Sequence, residues 1–189
     1  TFVVEAVGSL VLTWRFTVEY AFWPALKLGV FHAVSAFCNA GFTLFTGSFV
    51  EYTNDAVINI TLMVLIILGG LGFVVILDVL ERIRHKSVHK KITFHSKLVL
   101  VSTVVLLISG ALLLFLFESA NQLQPLPVGG KVLGSLFQSV TARTAGFNTL
   151  DISQLTNASL FLLILLMFIG ASPGSCGGGI KTTTIMVLL

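Results

Sequence analysis

Long apolar runs dominate the chain, and polar residues interrupt them only at intervals. Residues Ala56 to Leu80 form one largely apolar run of 25, closed by Asp78 and Glu81. At about 1.5 Å rise per residue such a helix is about 37 Å long, enough to span a bilayer with some tilt. Ser96 to Phe117 is a second run, of 22, and Ala158 to Leu189 a third, of 32, broken by GASPGSCGGG. Thr1 to Trp14 reads as the end of a fourth helix, too short to span alone. Both ends of the chain are apolar, so we expect an internal piece of a longer protein.

Two further segments have helical character but half the length. Pro24 to Phe37 begins with proline, which suits the first position of a helix, and Lys131 to Ala142 is similar. Neither exceeds about 21 Å, so neither crosses a core of roughly 30 Å. Each leads into a glycine-containing loop. This pattern predicts re-entrant half-helices that dip into the membrane and return on the same side.

Composition supports a membrane setting. Hydrophobic residues make up 56% and charged residues 10% of the chain, against roughly 25% charged in a soluble domain. Disorder is excluded by the same numbers, and a net charge of +3 gives no footprint for nucleic acid. Cys38 and Cys176 show neither disulfide nor zinc-ligand spacing. Six of the eleven Lys and Arg residues, Arg82, Arg84, Lys86, Lys90, Lys91 and Lys97, fall within 82–97. The positive-inside rule places this loop in the cytoplasm and segments 15–55 and 118–157 outside, so both half-helices enter from outside. The cluster is an orientation signal first; a docking surface for a cytosolic partner is the alternative.

The two halves of the chain repeat. FHAVSAFCNAGF (Phe31 to Phe42) aligns with FQSVTARTAGF (Phe137 to Phe147) after one gap. The order of spanning helix, short helix, AGF loop and spanning helix also recurs, and two crossings separate the loops. The repeat is therefore parallel. We divide the chain into a first unit over 1–80, a cytoplasmic basic loop over 81–95, and a second unit over 96–189. The expected fold is all-α, with parallel helix–pore-loop–helix repeats around a central ion pore.

Irregular backbone at membrane depth is tolerated where it lines a water-filled cavity or is packed in protein. A half-helix that points its C-terminus into such a cavity favours a cation, and backbone carbonyls that replace a hydration shell select potassium. The candidate carbonyl walls are Asn39, Ala40, Gly41 and Phe42 in one loop and Thr144, Ala145, Gly146 and Phe147 in the other. Nothing suggests covalent catalysis. The rival reading is a secondary transporter of a small organic ion, which would want inverted repeats and half-helix N-termini at the substrate.

These segments carry a resemblance. SAFCNAGF, SVTARTAGFNTLD and IGASPGSCGGGIKTTT are similar to motifs of the Trk/Ktr/HKT superfamily of potassium transporters, and LIILGGLGFVVILDV and KLVLVSTVVLLISG resemble its bacterial Ktr-type membrane subunit. The resemblance implies four such repeats around one pore, of which this chain supplies most of the second and third. It implies potassium uptake across the cell membrane by a multi-pass protein, a homodimer with one pore per subunit, a cytosolic nucleotide-binding regulatory ring, and sodium as a coupling ion. Cys38 departs from the family pattern, which commonly has Asn there.

Gly170, Ala171, Ser172, Pro173, Gly174, Ser175, Cys176, Gly177, Gly178 and Gly179 cannot form an ordinary helix interior, because Gly costs about 1 and Pro about 3 kcal/mol there. A broken helix in a membrane lines a cavity, and the resemblance makes this segment an intramembrane gate beneath the filter. Two decoys overlap it. Gly174 to Thr182 approaches a phosphate-binding G-x4-G-K-[ST] loop but has an extra Ile and no preceding strand. Ser172 or Ser175 with His32 would need a nucleophile–base contact that the sequence does not suggest.

Lys181 either repels cations from the closed gate or pairs and snorkels; we expect the structural role. Arg143 is expected to brace the filter through neighbouring carbonyls or Asp151. His32 is expected to be a packed, hydrogen-bonded group, and Gly69, Gly70 and Gly72 to permit close helix packing.

Overall fold

The computed structural model describes residues 1–85 and 92–188, so Lys86, Lys90 and Lys91 of the basic loop lie outside the described residues. The described residues form eight α-helices: α1 Phe2–Phe16, α2 Phe22–Phe37, α3 Ala56–Leu71, α4 Phe73–His85, α5 Phe94–Glu118, α6 Val128–Thr141, α7 Asn157–Phe168 and α8 Thr182–Leu188. α5 is long and apolar enough to cross a membrane, and the bent pair α3–α4 passes the same test taken together.

The two units have the same plan. A first helix (α1, α5) is followed by a half-length helix (α2, α6), an irregular loop, and a second helix (α3, α7). Side-chain caps set where three of these helices begin. Asp55 accepts from the Ile58 amide at the start of α3, Thr93 from Ser96 at the start of α5, and Thr156 from Ser159 at the start of α7. Each supplies an oxygen to one of the amides that a helix N-terminus leaves unpaired.

Small residues let each half-helix lie against its longer neighbour. A side chain on Gly29 of α2 would run into the Thr13 hydroxyl of α1. On α5, a side chain on Gly110 would meet Ser139 of α6, whose hydroxyl instead donates to the Leu107 carbonyl at 2.9 Å. Such close backbone approach supplies much of helix association in lipid, where no hydrophobic drive separates helices from their solvent.

The core lies between the units. Leu12, Phe16, Ala33, Leu62, Leu65 and Ile66 pack with Phe137 and Phe147 from the second unit. Beyond the loops the units are laced together. The Phe49 amide donates to the Asn148 carbonyl at 2.8 Å, the Asn148 amide to the Ser48 hydroxyl at 3.0 Å, and the Thr53 hydroxyl to the Thr149 carbonyl at 2.5 Å. Phe49 also meets Phe147 edge-on, with ring centroids 5.5 Å apart.

The expectation of one continuous helix over 56–80 is corrected. Gly72 adopts φ +84, which ends the α3 hydrogen-bond ladder, and α4 leaves at 102° to α3. A left-handed residue cannot continue a right-handed helix. The break in the third apolar run occurs as expected, between α7 and α8.

Candidate functional site

The half-helices α2 and α6 both end at the centre of the molecule, and the chain behind each takes the same backbone path. Asn39 has φ +51 and Gly41 φ +70; Thr144 has φ +74 and Gly146 φ +87, while Ala40 and Ala145 between them stay negative. Two non-glycine residues in the left-handed region are uncommon, and here they occupy aligned positions of the repeat. Amides at the start of each strip turn back onto the half-helix. The Ala40 amide donates to Ser35 at 2.9 Å, and the Ala145 amide donates to Thr141 at 3.0 Å. Among the described residues, no hydrogen bond ends on the carbonyls of Asn39, Ala40, Gly41, Thr144, Ala145 or Gly146. The Phe42 carbonyl is taken by the Ser35 hydroxyl at 2.8 Å, and the amides of Phe42 and Phe147 follow the glycines out of each strip.

The two strips abut. A Cβ on Gly41 would run into the Ala145 carbonyl oxygen and lie 3.0 Å from the Gly146 Cα; a Cβ on Gly146 would lie 3.4 Å from the Gly41 Cα. The structure thus brings the two AGF loops together. It also places the hydroxyls of Thr141 and Thr144, buried and without a protein partner, beside the second strip. Outside the strips a vestibule of about 510 Å³ is lined by Gly41, Thr43, Ser48, Gly146, Asn148 and Asp151.

Beneath the strips lies the interrupted segment. It closes on itself: the Gly170 amide donates to the Ile180 carbonyl at 3.0 Å and the Ala171 amide to Gly178 at 3.1 Å. Gly177 sits directly below the strips, since a Cβ there would collide with Ala171 and the Thr144 hydroxyl and come within 3.2 Å of the Asn39 side chain. The Lys181 ammonium donates to the Gly177 carbonyl at 2.7 Å.

The glycines of α3 do more than allow packing. The carbonyls of Gly69 and Gly70, freed by the break at Gly72, accept from the amides of Cys176 at 3.2 Å and Ser172 at 3.1 Å, and the Phe73 amide donates back to Gly174 at 3.2 Å. A side chain on Gly69 would strike the Phe37 carbonyl. The LGGLG run therefore links the half-helix α2 to the interrupted segment. Three glycines in four residues inside an apolar run were the signal for it.

Arg143 and Asp151 do not pair. Arg143 is buried and donates to the Gly170 carbonyl at 3.4 Å, beside a small void of about 20 Å³ between α3, α5 and α6. Asp151 is half-buried: its carboxylate accepts from the Ser153 amide at 3.0 Å and hydroxyl at 2.7 Å, capping the turn Ile152–Gln154. The hydrogen bonds from the Ser153 hydroxyl and amide hold its carboxyl pKa below the usual carboxylate range. Arg143 thus braces the interrupted segment through a carbonyl, and Asp151 anchors the loop beyond the strip.

His32 is a packed group. Its Nδ1 donates to Leu28, its Nε2 accepts from the Leu44 amide at 3.2 Å, and its ring stacks on Phe45 at 5.0 Å. It is remote in chain and bonding from Ser172 and Ser175, whose hydroxyls engage the Thr182 hydroxyl and the Ser172 carbonyl.

One feature had no sequence signal. In the first unit the end of α1 is tied to the cap of α3 by an ion pair, Arg15 to Asp55 at 2.5 Å. In the second, at the corresponding place, buried Glu118 at the end of α5 accepts from the Thr156 amide at 2.9 Å, the Thr156 hydroxyl at 2.8 Å and the Ser159 hydroxyl at 2.5 Å.

Comparison with known proteins gives the family and the fold. The sequence matches the TrkH family, described as cation transport protein, along residues 1–189. It is 43% identical over 98% of its length to Ktr system potassium uptake protein B of Vibrio alginolyticus, of which it covers 41%. It is 40% identical over 99% of its length to the potassium/sodium uptake protein NtpJ of Enterococcus hirae, again covering 41%. The chain therefore spans less than half the length of these relatives. In structure it is similar to the potassium transporter TrkH of Vibrio parahaemolyticus, with a TM-score of 0.70 over 95% of this chain and 37% of that one, at 24% identity. The all-α membrane fold is thus shared, and the chain belongs to the TrkH family of cation transport proteins, which are transporters rather than enzymes.

Proposed function

We propose that the complete protein takes up potassium across the cell membrane, and that residues 39–42 and 144–147 form half of its selectivity filter. One observation carries the reading: two abutting strips of alternating φ sign in which the carbonyls of residues 39–41 and 144–146 accept no hydrogen bond among the described residues. Alternating handedness turns successive peptide planes the same way, so the oxygens form a row. Such rows replace the hydration shell of a monovalent cation. The C-termini of α2 and α6 direct their negative dipole ends toward the same place. This polarity is opposite to the half-helix N-termini that an organic-anion transporter would present.

In this reading Gly170 to Gly179 is the gate, closed by Lys181 on Gly177 and braced by Arg143 on Gly170. Sodium as a second ion, in a coupling role, is supported by the Enterococcus relative being a potassium/sodium uptake protein. Homodimeric assembly, a cytosolic nucleotide-binding regulatory ring and a multi-pass path in the plasma membrane follow from the resemblance of the motifs. The test is a crystal of the full-length protein grown with rubidium. Anomalous density against the carbonyls of Gly41 and Gly146 is expected; density only elsewhere refutes the assignment.

A further inference from the structure

α4 has a role the single-span reading hid. It leaves α3 at 102°, so with α3 crossing the bilayer α4 runs close to the membrane plane. Its depth is marked independently. The Asp78 carboxylate on α4 accepts from the Thr93 amide at 3.0 Å and hydroxyl at 2.9 Å. Thr93 is the cap of α5, the 25-residue spanning helix. α4 therefore lies where a crossing helix begins, at the boundary between lipid and water.

Its two faces differ in kind. Phe73, Leu77, Leu80 and Ile83 recur at helical spacing and are 62%, 54%, 54% and 67% exposed. Asp78 and Arg82 fall on the opposite side of the helix, Glu81 lies on its flank, and Asp78 is already committed to Thr93. A large exposed apolar stripe opposite a charged one is the pattern of a helix that lies in the interface. The charged groups beside it at this level include exposed Arg82 and, on α5, exposed Lys97. Cationic side chains next to an interfacial helix complement anionic headgroups.

We propose that α4 is an interfacial helix seated in the inner leaflet, with Phe73, Leu77, Leu80 and Ile83 among the acyl chains and Arg82 and Lys97 at anionic lipid headgroups. Its first residue is bonded to the interrupted segment, Phe73 to Gly174, and the Phe73 ring lies 3.2 Å from where a Gly174 Cβ would be. On the gating reading given above, headgroup binding toward the far end of α4 is linked to the gate through the helix and its first residue.

The test uses the full-length protein with Cys38 and Cys176 replaced by Ala and bimane attached at Leu77→Cys. It is reconstituted in phosphatidylcholine vesicles with and without phosphatidylglycerol. Quenching by a nitroxide at shallow acyl depth, and none by aqueous iodide, is expected. Iodide quenching would place the stripe in water, and quenching by neither would place it under protein; either result overturns the proposal. Phosphatidylglycerol should strengthen the lipid quenching, and Arg82→Gln with Lys97→Gln should reduce the affinity for that lipid about 30-fold. An unchanged lipid response in this double variant overturns the headgroup contact. Potassium flux in wild-type vesicles should change with phosphatidylglycerol and in the double variant should not; identical responses overturn the link to the gate. Because quenching requires no transport, lipid quenching without potassium movement would sink the transport reading and leave the seating of α4 standing.

Discussion

The aligned glycines of the two strips look interchangeable in sequence, yet the structure predicts unequal consequences for Gly41→Ala and Gly146→Ala. Both residues have positive φ, +70 and +87, so alanine at either pays the left-handed penalty of about 1–2 kcal/mol. Expressed in ion binding, that is a factor of about 5 to 30. At Gly146 little is added, because its Cβ would meet only the Gly41 Cα at 3.4 Å. At Gly41 the Cβ would collide with the Ala145 carbonyl oxygen, which must swing away. A carbonyl–cation contact is comparable to a hydrogen bond to a charged group, about 1.5–3 kcal/mol, or one to two further orders of magnitude. The assay is rubidium uptake by full-length protein in vesicles, with sodium as competitor. Gly41→Ala should lose most of its discrimination and Gly146→Ala only part of it. Gly47→Ala serves as the control, since its Cβ would meet nothing within 4 Å. Equal losses in the two variants, or the reverse order, would refute the argument that the first strip presses on an oxygen of the second.

Three other outcomes are expected. Lys181→Met removes a charged hydrogen bond to Gly177, about 1.5–3 kcal/mol, and should raise resting potassium leak at least tenfold in flux measurements; an unchanged leak would free Lys181 of any hold on the segment. Glu118→Ala strands the Thr156 amide and the hydroxyls of Thr156 and Ser159 and should cost about 3 kcal/mol in detergent unfolding, with Glu118→Gln costing less; equal melting of all three proteins would contradict it. Gly69→Ala drives a methyl into the Phe37 carbonyl and should cost about 3 kcal/mol and disturb selectivity, whereas wild-type stability and ion ratios would show that α2 and α3 do not touch there.

Much of this architecture was legible in the residues. Pro24 and the half-length run behind it announced α2, the paired AGF motifs announced the two strips, and Pro173 among five glycines announced the broken third helix. The failures share a cause. Hydropathy averages over a run, so a single left-handed residue inside one, Gly72, leaves no trace in it, although it redirects a helix by 102°. Proximity along the chain suggested Asp151 as the partner of Arg143, but the bond goes to Gly170, 27 positions away. Glu118 stood at the polar end of an apolar run, where any carboxylate might be solvated, and only the folded chain brings three donors from residues 156 and 159 around it. Periodicity reports which face is apolar; it does not report which distant carbonyl a break sets free.

The unlike fasteners of the two units bear on how the duplicated halves diverged. An ion pair closes one and a ring of neutral donors around a carboxylate closes the other, while the torsion signs at 39–41 and 144–146 agree. The two halves share a curve in the main chain and differ in the chemistry that clamps its ends. An attempt to transplant one half's clamp into the other should consequently leave the backbone path of the two strips undisturbed, provided both partners of the clamp travel together.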